Sequence, residues 1–135
     1  MIKKFYKKVI AQRPEDLSII SALCSQAKVK QSDIKYLKNN KVFILTIERT
    51  NKESDIKTEK IGSVIRFDFV DNCKSKNINQ SDPENILELF SINIFKKNDN
   101  FEILLLFLNN GVITLSTEVV EVTMEDIKKI DDQNF

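Results

Sequence analysis

Apolar residues fall along this chain in short runs, and the spacing changes from one run to the next. Residues 3–10 place Phe5 and Val9 on one face among lysines, which predicts a strand. Arg13-Pro14-Glu15-Asp16 then reads as a helix start, with proline in the first turn and two acids where the helix dipole favours negative charge. Leu17, Ile20, Leu23 and Cys24 follow at helical spacing, predicting a helix to about Gln26. Ile34–Leu37 and Val42–Arg49 are apolar runs separated by Lys38-Asn39-Asn40-Lys41, the pattern of a hairpin. Thr50–Lys60 is charged and without period, as expected of a loop.

From Ile61 to Asp71 the alternation returns, with Ile65, Phe67 and Phe69 on one face and Arg66 and Asp68 on the other. Residues 72–80 are polar and fit either a strand continuation or a loop. Ser81-Asp82-Pro83-Glu84 has the composition of a helix start, and the apolar phase shifts near Phe90. A helix of about two turns handing over to a strand accounts for that shift. Phe101–Leu108 predicts a strand, Asn109-Asn110-Gly111 a hairpin turn and Val112–Val122 the returning strand. Thr123 with Glu125 and Asp126 predicts a terminal helix over Met124–Ile130, with Asp131–Phe135 as its frayed end.

These elements describe one α+β domain over residues 1–135: a mainly antiparallel sheet of about seven strands, an N-terminal helix, a short middle helix and a C-terminal helix. The order also suits a pleckstrin-homology-like barrel with the first helix inserted. Helix followed by three strands occurs twice, each time opened by Pro-Glu, so a duplicated unit is a second reading.

Four stretches carry a family resemblance: Pro14-Glu15-Asp16-Leu17 with Ile20-Ser21-Ala22; Arg66-Phe67-Asp68; Ser81-Asp82-Pro83 with Leu87, Leu89 and Ile92; and Gly111 with Ile113, Leu115, Glu118, Val120 and Glu121. In this order they resemble the domain-of-unknown-function family numbered 2948, short alphaproteobacterial proteins. The resemblance therefore implies a bacterial source and relatives of full length. It implies no activity, cofactor or catalytic residue. The sequence departs from the family pattern at Thr117, where an aliphatic residue is expected.

Composition removes more functions than it suggests. Twenty-one basic residues against 20 acidic leave a net charge of +1, without the basic excess that a nucleic-acid partner calls for. Lys3, Lys4, Lys7 and Lys8 around Phe5 and Tyr6 read better as lysines blunting an edge strand than as a nucleic-acid surface. The chain has no histidine, which takes away the commonest general base and transition-metal ligand. With only Cys24 and Cys73, a structural zinc site is out of reach. Two glycines, Gly62 and Gly111, build no phosphate-binding loop. No apolar stretch has signal-peptide or membrane-spanning length, so the expected compartment is the cytoplasm with both thiols reduced.

What remains is a short set of candidates. Cys24 lies on the apolar stripe of the first helix, as an inert thiol would, while Cys73 beside Lys74 is the more reactive prospect. Glu118 and Glu121 fall on opposite strand faces, and Glu125 and Asp126 are explained by a helix start.

Arginine is the sharper signal. Only Arg13, Arg49 and Arg66 stand against the drift to lysine, and an arginine kept there suggests a need for its planar fork. Arg49 and Arg66 flank the Thr50–Lys60 loop, with Asp68 on the face of Arg66. Together they are the candidate site for a small anionic ligand or a protein partner, the simpler account being an Arg66–Asp68 ion pair. The expected function is a cytosolic binding or interaction module without catalytic residues, metal, cofactor, nucleic acid or membrane. The alternatives are an enzyme working through carboxylates such as Asp68, with magnesium or a bound substrate, and a subunit of a homo-oligomer.

Overall fold

The computed structural model describes residues 7–51 and 59–130. Among these residues ten strands are formed: β1 (Lys8–Ala11), β2 (Lys28–Lys30), β3 (Ile34–Leu37), β4 (Val42–Thr50), β5 (Lys60–Phe67), β6 (Val70–Lys76), β7 (Ile86–Lys97), β8 (Asn100–Phe107), β9 (Val112–Thr117) and β10 (Val122–Ile130). The single α-helix among the described residues, α1, spans Leu17–Cys24 after a 3-10 turn at Pro14–Asp16. All the pairings are antiparallel, in the order β1-β10-β5-β4-β2-β7-β8-β9-β6, with β3 laid beside the start of β4. The antiparallel sheet, α1 and the β3–β4 and β8–β9 hairpins stand as expected, except that β9 ends at Thr117 and Val122 begins β10. The arrangement of three helices and about seven strands does not.

Two β-bulges account for the two helices that do not form. In β7 the register slips between Leu89 and Ser91, so the apolar positions move from Leu87 and Leu89 to Ile92 and Ile94 without a helix. Before it, Asp82-Pro83-Glu84-Asn85 closes a turn. The Asn85 amide donates to the Asp82 carbonyl at 3.1 Å, and the Glu84 amide to Asp82 Oδ1, also at 3.1 Å. Aspartate and proline serve a turn as well as a helix start. No helix begins here, so the second copy of a helix-plus-three-strands unit is not formed.

The second bulge lies in β10, between Asp126 and Lys128. It leaves Met124, Ile127 and Ile130 three apart, which imitates a helical stripe. In the fold Val122, Met124 and Asp126 all point inward on a strand held between β1 and β5. Two partner strands outweigh a local capping preference worth about 1 kcal/mol. With 122–130 a central strand, the C-terminal helix of a pleckstrin-homology-like barrel is absent.

β7 joins the two halves of the sheet. Ile86–Glu88 pair with β2, and Leu89 onward pair with β8. α1 is tied to the same strand, with the Ile92 amide donating to Ser21 Oγ at 2.9 Å and the Gln26 amide to the Leu89 carbonyl at 2.7 Å. Leu17, Ile20 and Cys24 of the helix, Leu45, Ile65 and Met124 of one half and Leu89, Leu105 and Leu115 of the other share a single core. The expected continuation of strand 61–71 to Phe69 fails because the chain turns at Asp68-Phe69. Phe69 there adopts φ 61° and lies outside, while Ile65 and Phe67 are buried. Residues 72–76 are strand, and most of the Thr50–Lys60 loop lies outside the described residues.

Gly111 owes its place to space rather than to its backbone angles. Asn109 and Asn110 take the positive φ of the β8–β9 turn, whereas a Cβ on Gly111 would meet Ile78 Cγ1 at 3.2 Å. Thr117 is the misfit of the core. It is 1% exposed, and among the described residues its hydroxyl has no hydrogen-bond partner. Thr117→Val keeps the branched shape and removes that orphan group, so a gain of about 1–2 kcal/mol in urea unfolding is expected. An unchanged or lower midpoint would show that the hydroxyl is satisfied in solution.

Candidate binding site

The alternation of β4 sends Phe43, Leu45, Ile47 and Arg49 to the inner face. Arg49 is therefore fully buried, and opposite it Asp126 is carried inward by β10. The guanidinium grips the carboxylate with two hydrogen bonds, Nε to Oδ1 at 3.1 Å and Nη2 to Oδ2 at 2.9 Å. Ser63 Oγ donates to Oδ1 at 2.6 Å, and the Lys7 amide donates to Oδ2 at 2.9 Å. In return the Asp126 amide donates to the Lys7 carbonyl. Burial pushes the Asp126 carboxyl up, but the Arg49, Ser63 and Lys7 donors outweigh it and hold it below the usual range. The cluster clamps β1, β4, β5 and β10 together.

Arg66 lies elsewhere. It sits opposite Ile44 on the outer face of β5, where Nε donates to Asp68 Oδ1 at 3.0 Å. Arg66 and Asp68 thus meet, as the simple ion-pair account expects, whereas Arg49 is on the opposite face of the sheet. Only Nε of the fork is engaged with Asp68, and the side chain is half exposed. Arg66→Lys is accordingly expected to change stability by less than about 0.5 kcal/mol. A loss above 1 kcal/mol in thermal or urea unfolding would restore the importance of the fork.

The other candidates separate by burial. Cys24 is buried, its thiol donating to Met124 Sδ at 3.5 Å. Cys73 is half buried, and burial pushes its thiol up, away from the reactive thiolate. Glu121 accepts from Gln12 Nε2 at 3.1 Å, while Glu118 is exposed. Glu125 is exposed and pairs with Lys8 at 3.9 Å along the β1 edge, so it and the inward Asp126 do not act together. Among the described residues no three His, Cys, Asp or Glu side chains gather as a metal site would need.

The outer face of the sheet holds a feature that the sequence did not announce. β3 pairs with β4 only over Val42–Leu45, and β2 meets β4 at one position, Lys28 opposite Glu48. Between them the chain arches away through the 3-10 turn Gln31–Asp33. This leaves an open groove of about 560 Å³. Val29 and Ile47, both buried, lie beneath its base, Lys28, Lys30 and Asp33 stand on the arch, and Thr46, Glu48 and Gly62 line the strands beside it. Ile86 and Ile127, 55% and 47% exposed, lie at its ends. Its size is that of small-ligand and peptide pockets. Arg66 shares this outer face, two alternations along β5 from Gly62.

The sequence pattern does not reveal the groove, because β2 is only three residues long and Ile127 falls at helical spacing. Asp126 is hidden for the same reason. The available signal was Val122, Met124 and Asp126 at strand alternation, the same pattern that ends in Arg49 on β4.

Among the described residues no helix is long and apolar enough to cross a membrane. A family model described as "Protein of unknown function (DUF2948)" matches residues 7–134. No curated protein and no solved structure matches the chain.

Proposed function

The chain belongs to the DUF2948 family of proteins of unknown function, and we propose that it acts without catalytic machinery, as a cytoplasmic module that binds another protein through the outer face of its sheet. The observation that carries this reading is the groove between β4 and the β2 arch. It lies over the buried core residues Val29 and Ile47 and has two isoleucines, Ile86 and Ile127, exposed at its ends. An apolar depression rimmed by charged residues is the usual form of an interaction surface. The most deeply buried polar groups serve the fold instead, since Arg49 and Asp126 are committed to one another.

The test is retention of partners from a soluble extract of the source cell on the immobilised intact chain, compared with Ile127→Asp. A protein held by the wild type and lost by the variant is the expected result. Equal retention by both would move the interface off the groove. A blank with both would favour the enzyme reading, in which carboxylates act on a small substrate.

A further inference from the structure

Resting on that reading, we infer that the groove receives an extended polypeptide segment with two apolar side chains about six residues apart, and that Gly62 is the residue that admits it.

The dimensions come first. The lining residues Ile127, Gly62, Thr46 with Glu48, Lys28 with Lys30, and Ile86 belong to β10, β5, β4, β2 and β7, five neighbours in the sheet. The groove therefore crosses the strands. Four inter-strand steps amount to about 19 Å, the length of about six extended residues.

The chemistry along this line selects the occupant. Its ends are isoleucines, and its middle holds both acceptors and donors: Glu48 and the Thr46 hydroxyl on β4, Lys28 and Lys30 on β2 (Lys30 also pairing with Glu84 at 3.4 Å), and Asp33 on the arch. A hydrocarbon chain would cover these polar groups and return no hydrogen bond. A polyanion would meet Glu48 and Asp33 as like charges. An extended backbone offers N–H and C=O groups in alternation, with side chains at each end to cover Ile86 and Ile127.

Gly62 is the second observation. It is one of two glycines in 135 residues. It pairs with Glu48 inside a strand that has neighbours on both sides. Its φ is not positive, so its backbone does not require glycine. A glycine in a central strand weakens the strand and often marks a place where another backbone comes close. Here it lines the groove, where a side chain would stand between β5 and the occupant.

The test uses a random nine-residue peptide library displayed on phage, panned on the intact chain. Selected peptides are then made synthetically, and their affinity is measured by fluorescence anisotropy. The expected peptides carry apolar residues about six apart. They bind Gly62→Ala at least tenfold more weakly than wild type, although the urea midpoint of Gly62→Ala is equal or higher. If Gly62→Ala does not fold, Ile86→Ser carries the test, because Ile86 is exposed; it too should lose at least tenfold. Phe90→Ser, outside the groove lining, should bind normally.

Binders indifferent to both groove variants would overturn the inference while leaving an interaction module elsewhere on the surface. No binders, although a partner is retained from extract, would overturn the peptide alone. No binders and no retained partner would overturn both. A self-association abolished by Ile86→Ser would assign the groove to a second copy of the chain and also overturn the inference.

Discussion

Arg49→Met is expected to cost about 3–5 kcal/mol in urea unfolding at neutral pH, the usual effect of removing one partner from a buried ion pair. The methionine itself is tolerable in that volume. The cost arises because the Asp126 carboxylate, whose side chain is 1% exposed, loses both guanidinium hydrogen bonds and stays out of water. Arg49→Met combined with Asp126→Leu should recover most of the loss, because an apolar pair of similar volume has no charge to strand. Failure of the double variant to recover would mean that the contacts to Ser63 and Lys7 hold the four strands, not the ion pair.

The same cluster sets a direction in pH. The Asp126 carboxyl is held below its unfolded value, so its contribution is complete above the unfolded value of about 3.9. It is lost as the pH falls through the lower, folded value. Wild-type stability should therefore decline on acidification through this range, and the Arg49→Met decline should be shallower, since two of the forces lowering that carboxyl have gone. Equal slopes for the two proteins would remove Asp126 from the acid transition.

Phe67→Ala should cost a similar amount, about 3–5 kcal/mol. Phe67 is fully buried and packs edge-to-face on Phe43, with ring centroids 5.9 Å apart and planes at 67°. It faces Phe43 of β4 on one side and Val122 of β10 on the other, so truncation opens a cavity among three strands. Phe90→Ala, at a 59% exposed position in the β7 bulge, should stay within about 0.5 kcal/mol. Urea midpoints at constant m-value measure both. The contrast bears on the family pattern, because Phe67 stands inside Arg66-Phe67-Asp68. Near-equal losses would show that this stretch is not there to build the core.

Much of the fold was legible where one period persisted. α1 shows its stripe of Leu17, Ile20 and Cys24, and β4 and β5 show alternation from Phe43 to Ile47 and from Val64 to Phe67. It was illegible where a bulge broke the period, at Phe90 and at Ile127, because one extra residue on a strand shifts the apolar phase as a change of element does. The candidate site was legible by residue type but not by place. The scarcity of arginine draws attention to Arg49 and Arg66, of which Arg49 lies in a buried ion pair and Arg66 in an exposed one. Their facing depends on parity along paired strands, and Arg49 is inward while Arg66 is outward.

By itself the sequence determined an antiparallel, phenylalanine- and isoleucine-rich domain, its family, and the absence of histidine chemistry. Those properties follow from composition, from order and from neighbours two to four residues apart. The tertiary structure decided what depends on residues far apart in the chain. It joined Arg49 to Asp126 across 77 positions, made 122–130 a central strand and opened a groove where β2 touches β4 at a single pair. Local preferences of about 1 kcal/mol yield when pairing on both sides satisfies a whole strand and buries its inner face. That balance turned two apparent helix starts into a turn and a strand.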